Sequence, residues 1–380
     1  MASENNDQVL VEEKGSVGIL TLNRPKQLNA LSFQMISKLT TFFIAFEEAT
    51  DVKLIILKGN GRAFSAGGDV SAVARDCING HWSIGTHFFW NEFILNYIIA
   101  TYSKPQVSIF NGFVFGGGAG LSIHGKFRVA TENAVFAMPE TGIGHFPDVG
   151  STYFLSRLIG YFGEYVGLTG VKLVSSEMYA CGLATHIVPS KDLLLLEEKL
   201  VEADSLDINV ISTIIDSFSH VMIPLKQNSA YKMMNVINKC FSKATVEEII
   251  DSLEHEAVNH PEEWIKNALQ LLKKASPASL KICLRSIREA RTEGIGECLK
   301  KEYRITSHIL RNHVSKDYYE GVRALLLDKD KNPKWEPSRL ELMTSEMVDR
   351  YFTKVDDPNW EDLRLPSRGI LTKMGVISNL

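Results

Sequence analysis

The stretch VSIFNGFVFGGGAG, residues 107–120, runs from an apolar segment into three consecutive glycines. Residues 107–110 predict a strand buried on both faces, because strands inside a parallel sheet are apolar without interruption. The glycines Gly116, Gly117 and Gly118 precede small residues that predict a helix. The first N–H groups of a helix have no partner within it, and they favour negative charge. The stretch therefore predicts a strand, a ligand-binding loop and a helix, the parts of a parallel crossover unit.

Similar patterns flank this unit in the first half of the chain. Residues 9–11 and 17–22 predict two short strands, and apolar runs at 54–57 and 127–130 predict two buried strands. Between them, Ser32 is placed to cap a helix with apolar residues at helical spacing. Because strand and helix alternate, the predicted fold class is α/β, built from crossover units.

The second half of the chain has a different character. From about residue 193 the apolar residues recur at helical spacing, with few strand signals. We therefore predict a core over residues 1–200 and a mainly helical region over residues 201–380 that packs on the core. A chain of 380 residues is longer than one hydrophobic core usually covers, which is consistent with this division.

Composition and charge exclude several classes of protein. Hydrophobic residues make up 45% of the chain and charged residues 23%, as in globular proteins. The net charge of −4 gives no general attraction for nucleic acid, and no apolar run approaches the ~18 residues that a membrane helix needs. We therefore expect neither a nucleic acid nor a membrane partner. The five cysteines are widely spaced and form no C-x-x-C pair, which favours reduced thiols.

The two ends of the sequence carry indications of location. Residues 1–7 are acidic and polar, and the first arginine is Arg24, so we expect neither a secretory signal nor a mitochondrial transit peptide. The last three residues, Ser378, Asn379 and Leu380, resemble the peroxisomal signal S-K-L with asparagine in place of lysine. The expected location is therefore the peroxisome, or otherwise the cytoplasm.

A second glycine loop, GRAFSAGGD at residues 61–69, follows the strand predicted at 54–57. Ligand loops of α/β folds lie beyond the carboxyl ends of strands, and glycine lets the backbone approach a ligand closely. An ordinary turn is the alternative interpretation of this stretch. If the two glycine loops meet, two backbone N–H groups can point at one oxygen and stabilise a carbonyl that becomes an oxyanion.

Two acidic residues, Glu140 and Asp148, each follow a proline within an apolar segment. Apolar surroundings remove water from a carboxyl group and raise its pKa, which suits acid–base chemistry near neutral pH. For Asp148 the alternative is a structural role as the cap of a helix that begins near Gly150. Two familiar motifs are excluded: residues 120–127 have phenylalanine where a P-loop needs Ser or Thr, and no G-x-S-x-G elbow occurs.

These motifs together resemble the enoyl-CoA hydratase/isomerase superfamily, also called the crotonase superfamily. The resemblance covers roughly residues 9–345 and is strongest to the thioester-hydrolase branch. In chain order it rests on LTLNRP (20–25), LNAL (28–31), AFSAGGD (63–69), NGFVFGGG (111–118), HGKFRVATE (124–132), MPET (138–141), FPDVG (146–150), SPASLK (276–281) and DKNPKW (330–335). It implies a spiral of ββα crossover units that binds an acyl-CoA, with a mainly helical C-terminal region.

The resemblance also implies roles for particular residues. Gly68 and Gly117 are expected to donate the two N–H groups of an oxyanion hole, and Glu140 and Asp148 are expected to be the catalytic acids. The substrate-binding residues that it implies are Ala66, Glu92, Gly117, Glu140 and Asp148. An acyl-CoA is the expected partner, and a homo-oligomer is left open. Neither a metal nor a cofactor is expected, because CoA is part of the substrate.

One departure from the superfamily pattern predicts the reaction. Hydratases carry a second glutamate at the position of Gly120, and Asp148 stands where they have a small residue. Water addition to a double bond uses both glutamates, so the resemblance implies hydrolysis of a short 3-hydroxyacyl-CoA thioester, above all 3-hydroxyisobutyryl-CoA in valine breakdown. Two alternatives are kept: a lyase of the hydratase or isomerase type, and a CoA-binding protein without catalysis. Whether Glu140 attacks the carbonyl or activates a water is left open.

Overall fold

The computed structural model describes residues 7–219, 223–259 and 261–368, and within them the chain forms two sheets. The strands are β1 (Val9–Lys14), β2 (Val17–Leu22), β3 (Leu54–Gly59), β4 (Ala63–Ser65), β5 (Gln106–Phe110), β6 (Phe113–Phe115), β7 (Phe127–Ala130), β8 (Val135–Ala137), β9 (Leu173–Val174) and β10 (His186–Ile187). The larger sheet has the order β1-β2-β3-β5-β7-β10, and the smaller sheet has the order β4-β6-β8-β9. Neighbouring strands are parallel except β1 with β2 and β8 with β9.

Helices surround the two sheets and make up most of the second half. They are α1 (Phe33–Glu48), α2 (Val70–Asn79), α3 (Trp82–Ala100), α4 (Gly117–Gly120), α5 (Ser151–Leu155), α6 (Phe162–Thr169), α7 (Ser175–Ala180), α8 (Leu193–Glu202), α9 (Ile208–Asp216), α10 (Met234–Phe241), α11 (Val246–Asn259), α12 (Glu263–Lys274), α13 (Pro277–Ala290), α14 (Ile295–Arg311), α15 (Asp317–Val322) and α16 (Ser345–Phe352). Ser32 caps α1 by accepting the N–H of Met35, as the sequence predicts. Within the described residues, none of these helices is both long and apolar enough to span a membrane.

Three successive units give the first half its spiral. In each unit a strand of the larger sheet leads within a few residues to a three-residue strand of the smaller sheet: β3 to β4, β5 to β6 and β7 to β8. The strands predicted at 54–57, 107–110 and 127–130 all lie in the larger sheet, and the predicted α/β class is confirmed. The sequence did not indicate the three-residue strands, because they are too short to show a periodic pattern.

The inner strands of the larger sheet, β2, β3, β5 and β7, are buried on both faces, which explains why their sequences are mostly apolar. In β3, Ile55 and Leu57 belong to the main hydrophobic cluster, which also contains the apolar faces of α1 and α3. Leu54 and Ile56 point the other way, into a second cluster that α8 and α9 cover. Successive side chains of a strand alternate between faces, so both faces of β3 need apolar residues.

The helical half packs on the core. Helix α14 lies along α3, and α13 packs against α5 and α6. The main cluster is continuous across both halves, since it includes Phe93 and Phe154 of the first half together with Leu284 and Leu299 of the second. The division at residue 200 stays a prediction.

Candidate active site

The two predicted glycine loops meet at one end of the smaller sheet. Strands β4 and β6 are parallel neighbours, so the loops that follow them leave the sheet at the same edge. A Cβ atom added to Gly117 would lie 3.1 Å from the backbone nitrogen of Gly68, and one added to Gly67 would lie 3.4 Å from the nitrogen of Gly117. Gly116 has φ +47, a left-handed backbone that favours glycine. The loops are therefore in direct contact.

Among the described residues, the N–H groups of Gly68 and Gly117 have no hydrogen-bond acceptor. Over the described ranges, neither group donates to a backbone or side-chain acceptor. Their neighbours are held, since Leu31 donates to the carbonyl of Gly67 and Asp69 donates to that of Leu31. Fixed loops with unused donors can bind an oxygen that gains negative charge.

Ala66 begins the first loop but has a different environment. Its N–H donates to the carbonyl of Leu28 over 2.9 Å, so that group is not available to a ligand. The loop is further tied at Asp69, which pairs with Arg24 at 3.2 Å. The structure thus places Ala66 beside the glycines, as part of the frame that holds the first loop.

Glu92 reaches the loops from the middle of α3. It is 1% exposed, and a Cβ atom added to Gly117 would collide with its Oε1. This oxygen has no hydrogen-bond partner among the described residues. Burial raises the pKa of the Glu92 carboxyl to about 8, so the group holds its proton at neutral pH.

Glu140 begins a 3-10 turn, Glu140–Ile143, and is 7% exposed. Its Oε1 lies 2.7 Å from the place that a Cβ atom on Gly116 would take. Its Oε2 is buried and has no partner within the described residues. Burial raises the pKa of Glu140 to about 8, and the nearby Glu92 adds to the rise. Glu140 therefore stands against the second glycine loop with unused hydrogen-bonding capacity.

Asp148 belongs to the same buried acidic group. It is 5% exposed, and its Oδ2 has no hydrogen-bond partner within the described residues. Burial raises its pKa well above the ordinary value, and Glu92, Glu140 and Glu302 raise it further. Its side chain does not cap α5, so the alternative of a capping role is wrong. Coupled carboxyl groups in one dry site cannot all be ionised, which leaves protons available for acid–base chemistry.

His145 lies beside Asp148, with its Nδ1 4.0 Å from Oδ2. Burial lowers the pKa of His145 to about 4, so the ring is neutral and forms no ion pair. Its Nδ1 lies 2.9 Å from the carbonyl of Phe146, and it donates there, because a carbonyl only accepts. The histidine is thus a neutral neighbour of the acids. Over the described ranges, no group of three or more His, Cys, Asp or Glu is arranged to hold a metal ion.

The position of the missing second glutamate is physically filled. A Cβ atom added to Gly120 would lie 2.6 Å from the Cβ of Val149 and 2.8 Å from the Nδ2 of Asn96. A longer side chain would have to displace the residue next to Asp148. The sequence therefore lacks this acid, and the packing around Gly120 leaves no space for its side chain.

Sequence reasoning missed the contribution of the helical half. Glu302 on α14 accepts hydrogen bonds from the segment that follows Asp148, and Ser276 donates its N–H to the carbonyl of Thr141, next to Glu140. The sequence feature that could have indicated Glu302 is a charged residue among the buried, mainly apolar positions of α14. Its partner lies about 150 positions away, and no local pattern predicts such a pairing.

The sequence matches the enoyl-CoA hydratase/isomerase family profile over residues 17–352. The chain belongs to this family. It is 60% identical over 376 residues to 3-hydroxyisobutyryl-CoA hydrolase 1 of Arabidopsis thaliana, covering 99% of this chain and 98% of the relative. It is 43% identical over 349 residues to the mitochondrial 3-hydroxyisobutyryl-CoA hydrolase of Rattus norvegicus, covering 91% and 88%. The resemblance seen in the motifs, including its hydrolase branch, is confirmed.

A solved structure gives the same fold. The carnitinyl-CoA dehydratase of Mycobacterium thermoresistibile is 33% identical, with a TM-score of 0.85, and the match covers 96% of this chain and 100% of that one. It confirms a crotonase-type fold with a helical C-terminal region. Since that relative is named as a dehydratase, the fold alone does not separate hydrolysis from lyase chemistry.

The expected location is wrong. The rat and mouse relatives and one further Arabidopsis relative are named as mitochondrial proteins, which contradicts a peroxisomal or cytoplasmic location and the expectation against mitochondria. The tripeptide Ser378, Asn379 and Leu380 and residues 1–6 lie outside the described residues. A neutral asparagine in place of the lysine of S-K-L removes the positive charge from the signal.

Proposed function

We propose that this chain hydrolyses 3-hydroxyisobutyryl-CoA to 3-hydroxyisobutyrate and CoA, as a step of valine breakdown. The observation that carries the proposal is the placement of Glu140, with an unpartnered carboxyl oxygen, against the glycine loop that also faces Gly68. The name and 60% identity of the Arabidopsis relative support the same substrate.

In this proposal the thioester oxygen binds between the N–H groups of Gly68 and Gly117. Attack on the carbonyl moves negative charge onto that oxygen, and the two N–H groups stabilise it. Loss of one such donor typically costs about 3 kcal/mol of transition-state stabilisation. The proposed chemistry uses only groups of the protein, because backbone dipoles polarise the carbonyl and CoA enters as part of the substrate.

Glu140 then acts in one of two ways. As a nucleophile, its carboxylate bonds to the carbonyl carbon, the C–S bond breaks, CoA leaves as a thiol, and water hydrolyses the acyl–enzyme anhydride. As a general base, it removes a proton from the water that attacks the same carbon, and the C–S bond then breaks to release CoA as a thiol and the free acid. Both routes need the ionised carboxylate, and because burial raises the pKa of Glu140 to about 8, only a minor fraction of the chain carries it at neutral pH and that fraction grows as the pH rises. The position of Glu140 against Gly116 suits either route.

Asp148 and Glu92 complete the proposed site. Because burial and the neighbouring acids raise the pKa of Asp148, its carboxyl group is suited to protonate the departing thiolate and to hydrogen-bond the 3-hydroxyl of the substrate. Glu92, protonated and next to Gly117, would form part of the wall of the acyl pocket. The filled position at Gly120 argues against a lyase, since the second acid of a hydratase has no space there.

The test compares two substrates. The purified chain is incubated with 3-hydroxyisobutyryl-CoA and, separately, with a 2-enoyl-CoA, while free thiol and enoyl absorbance are recorded. We expect thiol release from the first substrate and no hydration of the second. Enoyl loss without thiol release would establish the lyase alternative, and measurable CoA binding with no thiol release from any short acyl-CoA would establish a protein that binds CoA without catalysis.

A further inference from the structure

Glu302 of α14 connects the helical half to the segment that carries Asp148. It is 1% exposed. Its Oε2 accepts the N–H of Gly150 at 2.7 Å, and its Oε1 accepts the N–H of Thr152 at 3.1 Å and the Thr152 hydroxyl at 2.5 Å. These donors lie at the start of α5, which has no side-chain cap of its own. A carboxylate 150 positions away thus supplies the cap.

The segment needs this support, because its backbone is strained. Val149 has φ +57 and Gly150 has φ +79, two left-handed residues in succession. A β-branched residue with positive φ is an outlier that persists only when the surroundings fix it. Val149 packs against Gly120 on one side, and Glu302 binds the next residue, Gly150. The strained turn follows Asp148 directly in the chain.

The charged groups that raise the pKa of Asp148 are all acidic. They are Glu92, Glu140 and Glu302. Burial raises the pKa of Glu302 to about 7, and its hydrogen bonds from Thr152 and Gly150 oppose the rise. The donors favour the ionised carboxylate, so Glu302 combines a cap with a negative charge near Asp148. An uncharged side chain such as Ser, Thr or Asn can also cap a helix, so stabilising α5 alone would not require a carboxylate here.

We propose that Glu302 is a positioning residue for the reaction: it holds residues 148–152 so that Asp148 faces Glu140 and the glycine loops. The inference rests on the proposed thioester hydrolysis. Glu302 itself touches no substrate in this account. Its contribution reaches the reaction through the backbone of Gly150 and Thr152.

A matched control is available in Glu177. This buried glutamate accepts the N–H of Val174 at 3.1 Å and the hydroxyl of Ser229 at 2.5 Å. It also joins the first half of the chain to the second, and within the described residues none of its hydrogen bonds is to a residue assigned to the reaction. Glu177→Gln therefore reports the general effect of removing a buried capping carboxylate.

The experiment compares Glu302→Gln with Glu177→Gln and wild type in kcat and KM for 3-hydroxyisobutyryl-CoA. In Glu302→Gln an amide NH2 faces a backbone N–H, so the turn relaxes. We expect kcat to fall by about tenfold or more, with KM changed less than about threefold, because a charged hydrogen bond near the reacting groups is lost. Glu177→Gln is expected to stay within about threefold of wild type.

Two further measurements separate positioning from stability. In a double-mutant cycle, Glu302→Gln is expected to change the kcat of Asp148→Asn by less than about twofold, because both changes act through one residue. Hydrogen exchange of the peptide that covers residues 146–152 is expected to become faster in Glu302→Gln and to stay unchanged in Glu177→Gln. If Glu302→Gln fails to fold, Thr152→Val removes only the hydroxyl donor and is expected to lower kcat by about threefold.

The proposal is overturned if folded Glu302→Gln keeps wild-type kcat. It is also overturned if the double variant with Asp148→Asn loses kcat by the product of the two single losses. An equal loss of kcat in Glu177→Gln would also overturn the proposal. If the proposed hydrolysis itself is wrong, wild type will release no thiol, and this outcome is recognised separately. The hydrogen-exchange measurement on residues 146–152 does not depend on activity and still tests the role of Glu302.

Discussion

Glu92 and Glu140 each place a carboxyl oxygen against neighbouring glycines of the loop after β6. The Oε1 of Glu92 fills the space beside Gly117, and the Oε1 of Glu140 lies 2.7 Å from where a Cβ atom on Gly116 would stand. Burial raises the pKa of each carboxyl to about 8. An acyl group bound at this loop would meet both acids, so changes to the loop and to the acids should act on the same step.

Gly117→Ala should abolish most of the activity. The added methyl group collides with Glu92 and displaces the loop whose N–H is proposed to bind the thioester oxygen. We expect kcat to fall by about 100-fold, the loss typical of one oxyanion donor, measured as thiol release. Gly294→Ala is the control, because a methyl group there meets nothing within 4 Å. Wild-type turnover by Gly117→Ala would exclude this loop as the oxyanion site.

Gly120→Glu should not convert the chain into a hydratase. The new side chain meets Val149 and Asn96, and overpacking of this kind costs about 1–3 kcal/mol. We expect a lower melting temperature and no loss of enoyl absorbance with a 2-enoyl-CoA. A stable Gly120→Glu variant that hydrates the enoyl substrate would show that the space is available after all.

Substitutions at Asp148 should separate its two proposed roles. Asp148→Ala removes the group that binds the 3-hydroxyl, so the preference for 3-hydroxyisobutyryl-CoA over isobutyryl-CoA should fall by about tenfold. Asp148→Asn keeps a hydrogen-bonding group but has no acidic proton. It should retain most of that preference while kcat falls by about 10²–10⁴-fold. If Asp148→Ala leaves the preference intact, Asp148 does not recognise the hydroxyl.

Glu92→Gln should stabilise the protein at alkaline pH. The unfolded chain ionises Glu92 near 4.5, whereas burial raises the pKa in the folded chain to about 8. The contribution of Glu92 to the free energy of unfolding is therefore fully present below pH 4.5 and is lost as the pH rises towards 8. Glutamine has no proton to lose, so the variant should exceed wild type in free energy of unfolding by about 4 kcal/mol at pH 8 and by about 1 kcal/mol at pH 5.

Urea unfolding at the two pH values measures this difference, with Glu198→Gln on the exposed face of α8 as the control. A variant that is less stable than wild type at both pH values would mean that the carboxylate of Glu92 is ionised and partnered in the folded chain. The gain at pH 8 would also show that the wild type keeps a buried acid at the expense of stability.

The sequence predicted the parts of the fold and site that depend on local pattern. The apolar run at 107–110 and the glycines after it determine a buried strand and the loop with Gly117. Other features depend on residues that are distant in sequence. The three-residue strand β6 exists because β4 and β8 flank it, and the turn at Val149 is held by Glu302 from the helical half. No spacing rule connects residue 302 to residue 150, so these features emerge only from the folded chain.

The most direct measurement of the central claim is thiol release from 3-hydroxyisobutyryl-CoA by wild type and by Glu140→Gln, at equal concentration and pH. The amide keeps the shape of the carboxyl group but can neither attack the thioester nor take a proton from water. We predict rapid release of CoA by wild type and a loss of about 10²–10⁴-fold in kcat for the variant, with KM little changed. Equal rates for the two proteins would contradict the account, since the carboxyl group of Glu140 would then have no part in breaking the thioester.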